Sequence, residues 1–213
     1  MAKFQDLREN YELDELLESS VDADPIKQLN KWLEDAIKKE QKEPNAMVLS
    51  TVKANGAPSS RVVLLKEMDP DGLIFYTNYE SDKANQMAEY PTVALNFNWL
   101  DLQRQVRIEG TVEKIDAERS TKYFQSRPKT SQIGAWVSAQ SKIISDRSVL
   151  EKAKQELDTK HKDDKVLPKP PHWGGYKVKP SMIEFWQGRR SRLHDRLRYS
   201  LSQEKWIIQR ISP

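Results

Sequence analysis

The sequence predicts an α+β protein with a closed or nearly closed antiparallel sheet and helices around it. Eight segments have the β-branched and aromatic composition of strands. Turn signals at Asn55-Gly56 and Asp69-Pro70-Asp71-Gly72 separate the first of these, which indicates an antiparallel meander. Helical segments are inserted between the later strands. Together these three features favour an α+β fold.

The predicted strands fill most of the chain after residue 45. They are Met47–Lys53, Arg61–Met68, Leu73–Asn78, Thr92–Trp99, Gln103–Ile115, Tyr176–Gln187, Arg192–Leu201 and Lys205–Arg210. Apolar residues at helical spacing, with capping residues before them, predict helices over Pro25–Lys42, Ser81–Tyr90, Asp116–Ser126, Ser131–Ser138 and Ser145–Lys160. Arg8–Glu18 is expected to form a further short helix, and Asp163–Pro171 a loop.

Composition excludes several classes of protein. The 213 residues include no cysteine, which rules out disulfides, thiolate metal sites and a cysteine nucleophile. Apolar runs such as Val62–Leu65 are too short to span a membrane, and Met1–Asn10 lacks the apolar core of a signal peptide. We therefore expect a cytoplasmic protein that is not associated with a membrane.

Charge is distributed unevenly along the chain. The first 43 residues carry 7 basic and 12 acidic side chains, a net −5, and the remainder carries 28 and 20, a net +8. We expect residues 1–24 to form an acidic, mobile N-terminal segment and residues 25–213 to form one domain. A basic body favours anionic partners, although solubility explains the same charge equally well.

Several kinds of catalytic and binding site find no support. His161, His172 and His194 are not spaced as metal ligands on a helix face, so no metal site is predicted. Gly-x-Ser-x-Gly, Walker and Gly-x-Gly-x-x-Gly motifs are missing from the sequence. If the protein binds phosphate, side chains rather than a glycine-rich loop must hold it.

Candidate phosphate ligands occur in two parts of the chain. Arg61 and Lys66 flank an apolar strand, and Lys83 lies in the first turn of a predicted helix, where an anion is favoured. Tyr123, Arg127 and Ser131 follow at four-residue steps and would share one face of a continuous helix. Solvated surface positions are the competing interpretation for both groups, and Pro128 argues against a continuous helix.

The densest group of candidates lies near the C-terminus. Strand alternation would place Arg192, His194 and Arg196 on one side, with Leu193 and Asp195 on the other. Two neighbouring arginines should lower the pKa of His194 by charge repulsion. Because these arginines are confined to one short stretch, they favour a small anionic pocket over a nucleic-acid groove.

Taken together, the motifs resemble those of the pyridoxine/pyridoxamine 5′-phosphate oxidase family. Eight matching runs occur in the family's order, from about Ala46 to the C-terminus. They are Arg61–Lys66, Phe75–Asn78, Gln103–Val106, Tyr123–Pro128, Ser131–Ser138, Trp173–Gly175, Ile183–Gly188 and Arg192–Arg196.

The resemblance implies an FMN-binding split β-barrel with peripheral helices. It also implies a homodimer with two FMN sites between the subunits, and places C-terminal dimerisation and substrate-site strands within residues 25–213. The FMN-binding residues carried over from the family are Arg61, Val62, Val63, Leu64, Leu65, Lys66, Tyr76, Thr77, Asp82, Lys83, Gln105, Gln140, Ser141, Trp186 and Arg196.

The implied reaction is oxidation of pyridoxine 5′-phosphate and pyridoxamine 5′-phosphate to pyridoxal 5′-phosphate, the last step of vitamin B6 cofactor synthesis and salvage. O2 is the electron acceptor, and H2O2 is released, with NH3 from the amine. Arg192 and His194 would be the catalytic residues over the pyridine ring. The substrate-binding set carried over is Arg8, Tyr11, Lys66, Tyr123, Arg127, Ser131, Arg192, Leu193 and His194.

One position departs from the family pattern. Asp82 stands where the family usually has arginine, between Ser81 and Lys83. We expect this carboxylate either to weaken FMN binding or to leave more of it to Arg61 and Lys83. The alternatives to the implied function are another flavin split-barrel oxidoreductase with a different substrate, and a flavin-free module that binds anions or nucleic acid.

Overall fold

The computed structural model describes residue 7 and residues 9–213. Its main elements are α1 (Pro25–Lys38), β1 (Ala46–Val52), β2 (Pro58–Leu64), β3 (Glu67–Asp69), β4 (Gly72–Asn78), α2 (Asp82–Glu89), β5 (Thr92–Trp99), β6 (Arg104–Lys114), α3 (Ala117–Ser126), α4 (Lys129–Val137), α5 (Ser148–Lys160), β7 (Trp173–Gln187), β8 (Asp195–Ser202) and β9 (Lys205–Arg210). Within these ranges, no helix is both long and apolar enough to cross a membrane.

All strand pairs are antiparallel, and β7 organises the sheet. The strand order is β2-β1-β5-β6-β7-β4-β3, with β8 and β9 branching from β7. The first half of β7 pairs with β4 and its second half with β8, while β6 runs along its other edge. A register shift between Glu109 and Gly110 accompanies this change of partner. A Cβ at Gly110 would lie 2.1 Å from the carbonyl oxygen of Lys179, so only glycine fits there.

The core lies on the inner face of this curved sheet and is covered by α1. Phe97, Val106 and Phe185 are fully buried on the central strands. Trp32 of α1 packs edge-on against Phe185, with ring centroids 5.1 Å apart. The predicted N-cap is confirmed, because the carboxylate of Asp24 accepts hydrogen bonds from two amides of the first turn.

Two predictions of secondary structure in the first half of the chain are wrong. Residues 9–18 contain no helix, although Arg8–Glu18 was expected to form one. The predicted strand Arg61–Met68 is divided between β2 and β3, with Leu65 and Lys66 in the break.

The leader segment (residues 9–24) instead lies along the C-terminal strands. Leu16 is buried, and its amide donates to the Asp195 carboxylate at 3.1 Å. Ion pairs join Asp14 to Arg104 at 2.6 Å and Glu18 to Arg210 at 2.8 Å. Long-range contacts to basic side chains thus replace the local contacts that a helix would supply.

Candidate active site

A cleft of ≈ 600 Å³ opens between β2, β4 and the α3–α4 region. Eleven of the predicted FMN- and substrate-binding residues line it: Val62, Val63, Leu64, Lys66, Tyr76, Thr77, Lys83, Tyr123, Arg127, Ser131 and Gln140. The cleft therefore combines residues carried over for the FMN site and for the substrate phosphate.

Lys83 is buried in the wall of this cleft, so its interpretation as a solvated surface lysine is wrong. Its ammonium donates hydrogen bonds to three neutral oxygens: Thr77 Oγ1 at 3.1 Å, Ser81 Oγ at 3.0 Å and Gln140 Oε1 at 2.6 Å. The pKa of Lys83 is lowered to about 8, mainly by burial and also by the nearby Arg61, while Asp82 opposes both effects. A desolvated ammonium held only by dipoles is suited to receiving an anion.

Arg127 provides a second cation in the same cleft. Its guanidinium lies over the Trp173 ring, with Cζ 4.9 Å from the ring centroid. Its Nη1 is buried and has no hydrogen-bond partner among the described residues. Desolvation lowers the pKa of Arg127. An unsatisfied buried donor costs free energy, and a phosphate oxygen in the cleft would remove that cost.

Tyr123, Arg127 and Ser131 converge on the cleft, although the helix that would align them is interrupted. Helix α3 ends at Ser126, Arg127 is extended with ψ 152°, and α4 starts at Lys129. The two separate helices predicted on either side of Arg127-Pro128 are therefore confirmed, and Pro128 interrupts the helix as expected. All three side chains nevertheless line the cleft, because the break at Arg127-Pro128 redirects the chain around it.

A stack of aromatic rings forms one wall of the cleft. Tyr76 stacks on Tyr123 with centroids 3.9 Å apart and on Trp173 at 5.3 Å. The Tyr76 hydroxyl donates to Glu67 Oε1 at 2.5 Å, which points its polar end away from the stack. Burial raises the pKa values of both tyrosines, so both hydroxyls are protonated at neutral pH.

Arg61 lies beside the cleft rather than on its wall. Its guanidinium donates to Thr51 Oγ1 at 2.6 Å and to Ser59 Oγ at 2.7 Å. Burial lowers the pKa of Arg61, and the nearby Asp82 partly opposes that effect. Arg61 thus adds positive charge behind Lys83.

The remaining described residues predicted for this region do not line the cleft. Asp82 is exposed, and its amide donates to Ser141 Oγ at 3.3 Å. Leu65 is buried in the core and does not line the cleft. Arg8 lies outside the described residues.

A second group of predicted residues lies on β7, on the segment between β7 and β8, and on the leader segment. Tyr11, Trp186 and His194 form a ring cluster, with Trp186 and His194 centroids 4.6 Å apart and Tyr11 5.7 Å from His194. A Cβ at Gly188 would lie 2.8 Å from the Tyr11 ring, so glycine at this position gives Tyr11 room. This cluster does not line the cleft.

Residues 192–194 precede β8 and are not part of a strand, contrary to the prediction. Ser191 and Arg192 have positive φ angles, 56° and 62°, in a short 3₁₀ turn, and β8 begins at Asp195. Strict alternation therefore does not apply to Arg192 and Leu193, both of which are exposed. Arg192 has a left-handed backbone, which costs free energy for a non-glycine residue.

His194 is held in one tautomer. Its Nδ1 accepts a hydrogen bond from the Arg189 amide at 3.0 Å, so the neutral ring carries its proton on Nε2. Burial is the main reason that its pKa is lowered, and Arg192 is the second. The predicted lowering of the His194 pKa is confirmed, but its main cause is desolvation and not repulsion by two arginines.

Gln105, Trp186 and Arg196 are direct neighbours across β6, β7 and β8. Their register places the three side chains in one row on one sheet face. None of them lines the cleft of the same chain. The predicted site residues thus form two separate groups in one subunit.

The sequence did not indicate the roles of three residues that lie in or beside the two groups. Trp173, which stacks on the tyrosines, was noted only within a motif, and Glu67 and Glu184 were assigned no role. Glu184 is 3% exposed and pairs with Arg196 at 2.9 Å. The sequence does contain a signal for Glu184: it lies two positions before Trp186 on a predicted strand, and alternate residues of a strand share a face.

Comparison with known families covers nearly the whole chain. The model of the Pyridoxamine 5′-phosphate oxidase family matches residues 33–161. The model described as Pyridoxine 5′-phosphate oxidase C-terminal dimerisation region matches residues 173–213. The second match includes the strands that carry Trp186 and Arg196, and His194, which lies between these strands.

Individual proteins and solved structures are also similar to this chain over nearly its full length. A pyridoxine/pyridoxamine 5′-phosphate oxidase from Acaryochloris marina is 52% identical, covering 100% of this chain and 96% of the relative. One from Mannheimia succiniciproducens is 51% identical, covering 100% of each. The structure of PhzG from Burkholderia lata, in complex with tetrahydrophenazine-1-carboxylic acid, has a TM-score of 0.88 at 29% identity and covers 94% of this chain and 99% of that one.

A fourth comparison bears on the fold alone. A pyridoxamine 5′-phosphate oxidase-related, FMN binding protein from Nostoc punctiforme has a TM-score of 0.70 at 18% identity, covering 89% of this chain and 98% of that one. The predicted α+β split-barrel fold is confirmed. With relatives at about half identity over its full length, the chain belongs to the pyridoxine/pyridoxamine 5′-phosphate oxidase family.

Proposed function

We propose that this protein binds FMN and oxidises pyridoxine 5′-phosphate and pyridoxamine 5′-phosphate to pyridoxal 5′-phosphate, with O2 as electron acceptor. The main support for the proposal is that two of the three basic side chains lining the cleft, Lys83 and Arg127, are desolvated cations. Neither forms an ion pair in the described part of the chain. FMN and the substrate each bring one phosphate monoester, so the two anions match the two cations.

The residues present fit an FMN phosphate near Lys83. The ammonium of Lys83 and the nearby guanidinium of Arg61 supply positive charge, while Thr77 and Gln140 hold the ammonium in place. FMN, when bound, supplies the two-electron chemistry and its reoxidation by O2. The chain itself supplies position and charge.

The substrate phosphate is assigned to Lys66, Tyr123, Arg127 and Ser131. Arg127 brings an unpartnered buried donor, and Tyr123 brings a protonated hydroxyl on the cleft wall. Clamping the phosphate fixes the rest of a small rigid molecule, which turns an encounter between substrate and cofactor into an oriented step.

Arg192 and His194 are assigned to the pyridine end of the substrate. His194 is neutral and offers an Nε2–H donor, since the Arg189 amide occupies Nδ1. Exposed Arg192 offers a full positive charge beside it. These groups can orient a phenolic oxygen and hold a proton near the ring without forming a covalent bond to the substrate.

We further propose that a homodimer assembles each site from two chains. The ring cluster and the row Gln105–Trp186–Arg196 do not line the cleft of their own chain, and the family's dimerisation region includes β7 and β8. The cleft of one subunit would then face Trp186, Arg192, His194 and Arg196 supplied by its partner, with FMN between them.

Turnover of pyridoxine 5′-phosphate in air tests the activity. The FMN-loaded protein should form pyridoxal 5′-phosphate and H2O2 in equal amounts, and pyridoxamine 5′-phosphate should also yield NH3. Bound flavin without either reaction would contradict the assigned substrates and favour another flavin oxidoreductase. A protein that shows no flavin absorbance after addition of FMN and removal of the excess would contradict FMN binding.

Subunit sharing is tested by combining two impaired variants and assaying them at a substrate concentration near the wild-type KM, where each variant alone has little activity. In a shared site, a heterodimer of Arg127→Met and Arg192→Leu has one site with both defects and one with neither. Co-expression should therefore restore activity, up to half the wild-type value for each heterodimer. If both residues served a site within one chain, every site would carry one defect and activity would not return.

A further inference from the structure

Glu184 is a buried carboxylate in the middle of a sheet face, and the proposed chemistry does not use it. It lies on β7, two residues before Trp186 and directly opposite Arg107 on β6 and Arg198 on β8. Its side chain is 4% exposed. A buried carboxylate is costly unless its oxygens are paired and hydrogen-bonded, so its partners need to be identified.

Arg196 is the main partner of Glu184. Glu184 Oε1 accepts from Arg196 Nε at 3.0 Å and lies 2.9 Å from Nη2. A third nitrogen, Nη1, donates to the carbonyl oxygen of Ser212 at 2.9 Å. The guanidinium is therefore held at three nitrogens, and two of its five N–H groups remain for a ligand.

The second oxygen of Glu184 interacts with another arginine. Oε2 lies 3.4 Å from Arg107 Nη1, and Arg107 also pairs with Glu109 at 3.5 Å. Glu109 is half-exposed and has no contact with Arg196 among the described ion pairs and hydrogen bonds. The two carboxylates share Arg107 but differ in their relation to Arg196.

We propose that Glu184 is a positioning residue that fixes the Arg196 guanidinium in the orientation that contacts FMN. The inference depends on the proposed function, in which Arg196 is an FMN contact. A pair of this kind adds little net stability, because desolvation offsets its attraction. Its contribution is to orient Arg196, whose flexible side chain would otherwise lose conformational freedom when FMN binds.

A double-mutant cycle measured by FMN binding tests this role. In Glu184→Gln, the amide group places N–H donors among the guanidinium groups, so Arg196 loses its fixed orientation. We expect FMN to bind roughly tenfold more weakly, as for loss of a charge-assisted contact. In an Arg196→Met background, Glu184→Gln should cause no further loss, because the group that it positions has gone.

The controls separate positioning from a purely structural role. Glu109→Gln, which loses a contact to Arg107 but none to Arg196, should bind FMN as wild type does. If Glu184 only supported the fold, its substitution would weaken FMN binding equally in both backgrounds. Equal losses, or unchanged affinity in Glu184→Gln with Arg196 intact, would overturn the proposal.

Two further measurements keep the test decisive. If circular dichroism shows that Glu184→Gln does not fold, Glu184→Asp replaces it. The shorter carboxylate keeps the charge but cannot hold Arg196 in the same place. We expect the same loss of FMN affinity with Arg196 intact and no further loss in the Arg196→Met background. The proposed function is judged separately: wild type that binds FMN, with weaker binding in Arg196→Met, upholds the FMN contact even where Glu184 proves dispensable. Wild type that binds no FMN overturns both.

Discussion

The cations of the cleft face neutral groups or none, whereas the arginines around the leader segment each meet a carboxylate. Lys83 is held by three neutral oxygens, and one buried nitrogen of Arg127 has no hydrogen-bond partner within residues 9–213. By contrast, Arg104 pairs with Asp14 and Arg210 pairs with Glu18. Positive charge in the first region is available to a ligand, and in the second it holds one part of the chain on another. Net charge alone does not distinguish these two uses.

The largest effect is expected at Arg127. Arg127→Met removes the unpartnered donor from the cleft and keeps a side chain that can lie on Trp173. We expect the KM for pyridoxine 5′-phosphate to rise roughly 10- to 100-fold, the value of a charge-assisted contact. Steady-state kinetics of the FMN-loaded enzyme measure this. Because a buried unsatisfied nitrogen disappears, Tm should not fall.

Arg210→Met is the matched change in the other region. Arg210 loses its ion pairs with Glu18 and Asp195, and its hydrogen bond to the Leu16 carbonyl oxygen. We expect a lower Tm with an unchanged KM. A large rise in KM here, or a falling Tm with normal KM in Arg127→Met, would remove the distinction between the two regions.

The next largest effect concerns the pH dependence of FMN binding. Lys83 has a pKa of about 8 without ligand, and a bound phosphate favours the ammonium form and raises that pKa. FMN affinity in wild type should therefore fall as pH rises through 8, whereas Lys83→Met should bind weakly with a flat profile between pH 7 and 9. Fluorescence titration of apo-protein measures both; a wild-type profile that stays flat across pH 8 would contradict this assignment.

The same group affects the stability of the apo-protein. The folded pKa of Lys83 lies below its ordinary value of 10.5, so the buried ammonium destabilises the fold below pH 8. That cost shrinks as pH rises from 8 towards 10.5. Comparing Tm of wild type and Lys83→Met across this range isolates the contribution, and the difference should diminish at high pH.

A smaller gain is expected at Asp82, the position that departs from the family pattern. The carboxylate lies near Arg61 and Lys83 and opposes the positive charge that they supply. Asp82→Arg should tighten FMN binding several-fold, with the largest gain at low salt because exposed charges are screened. Asp82→Asn serves as the neutral control and should fall between the two. Weaker binding in Asp82→Arg would show that this carboxylate supports the site.

The smallest effect is expected at Glu18. Its hydrogen bonds with Arg210 lower its pKa from 4.5 to about 2. A lowered carboxylate pKa stabilises the fold above pH 4.5, and this contribution is lost as pH falls towards 2. Glu18→Gln should therefore lower Tm slightly at pH 7 and not at pH 2, with KM unchanged, because exposed ion pairs contribute little.

These two regions also differ in how far the sequence predicts them. The spacing of Tyr123, Arg127 and Ser131 indicated a shared site, and the residues converge even though the helix breaks. The burial of Lys83 was not predictable locally, because Gln140, its nearest hydrogen-bond partner, lies 57 residues away. The helix expected for Arg8–Glu18 failed for a similar reason, since its acidic residues pair with arginines far along the chain.

Strand boundaries near the C-terminus depended on backbone conformation that the residue types do not reveal. Ser191 and Arg192 carry positive φ angles without a glycine to signal them, so the predicted strand started three residues too early. The antiparallel pairs β1–β2, β3–β4 and β8–β9 were predictable, because short turns connect their strands, whereas helices separate β4 from β5 and β6 from β7. Alternation along β7 is enough to place Glu184 and Trp186 on one face, but this inference was not drawn from the sequence, and only the structure pairs Glu184 with Arg196.

The most direct test of the central claim compares two substrates, pyridoxine 5′-phosphate and pyridoxine without its phosphate. If the unpartnered Arg127 is there to meet a phosphate, wild type should strongly prefer the phosphorylated compound in kcat/KM. Arg127→Met should lose most of that preference, and Arg210→Met should keep it. An Arg127→Met enzyme that discriminates between the two compounds as well as wild type does would contradict the account.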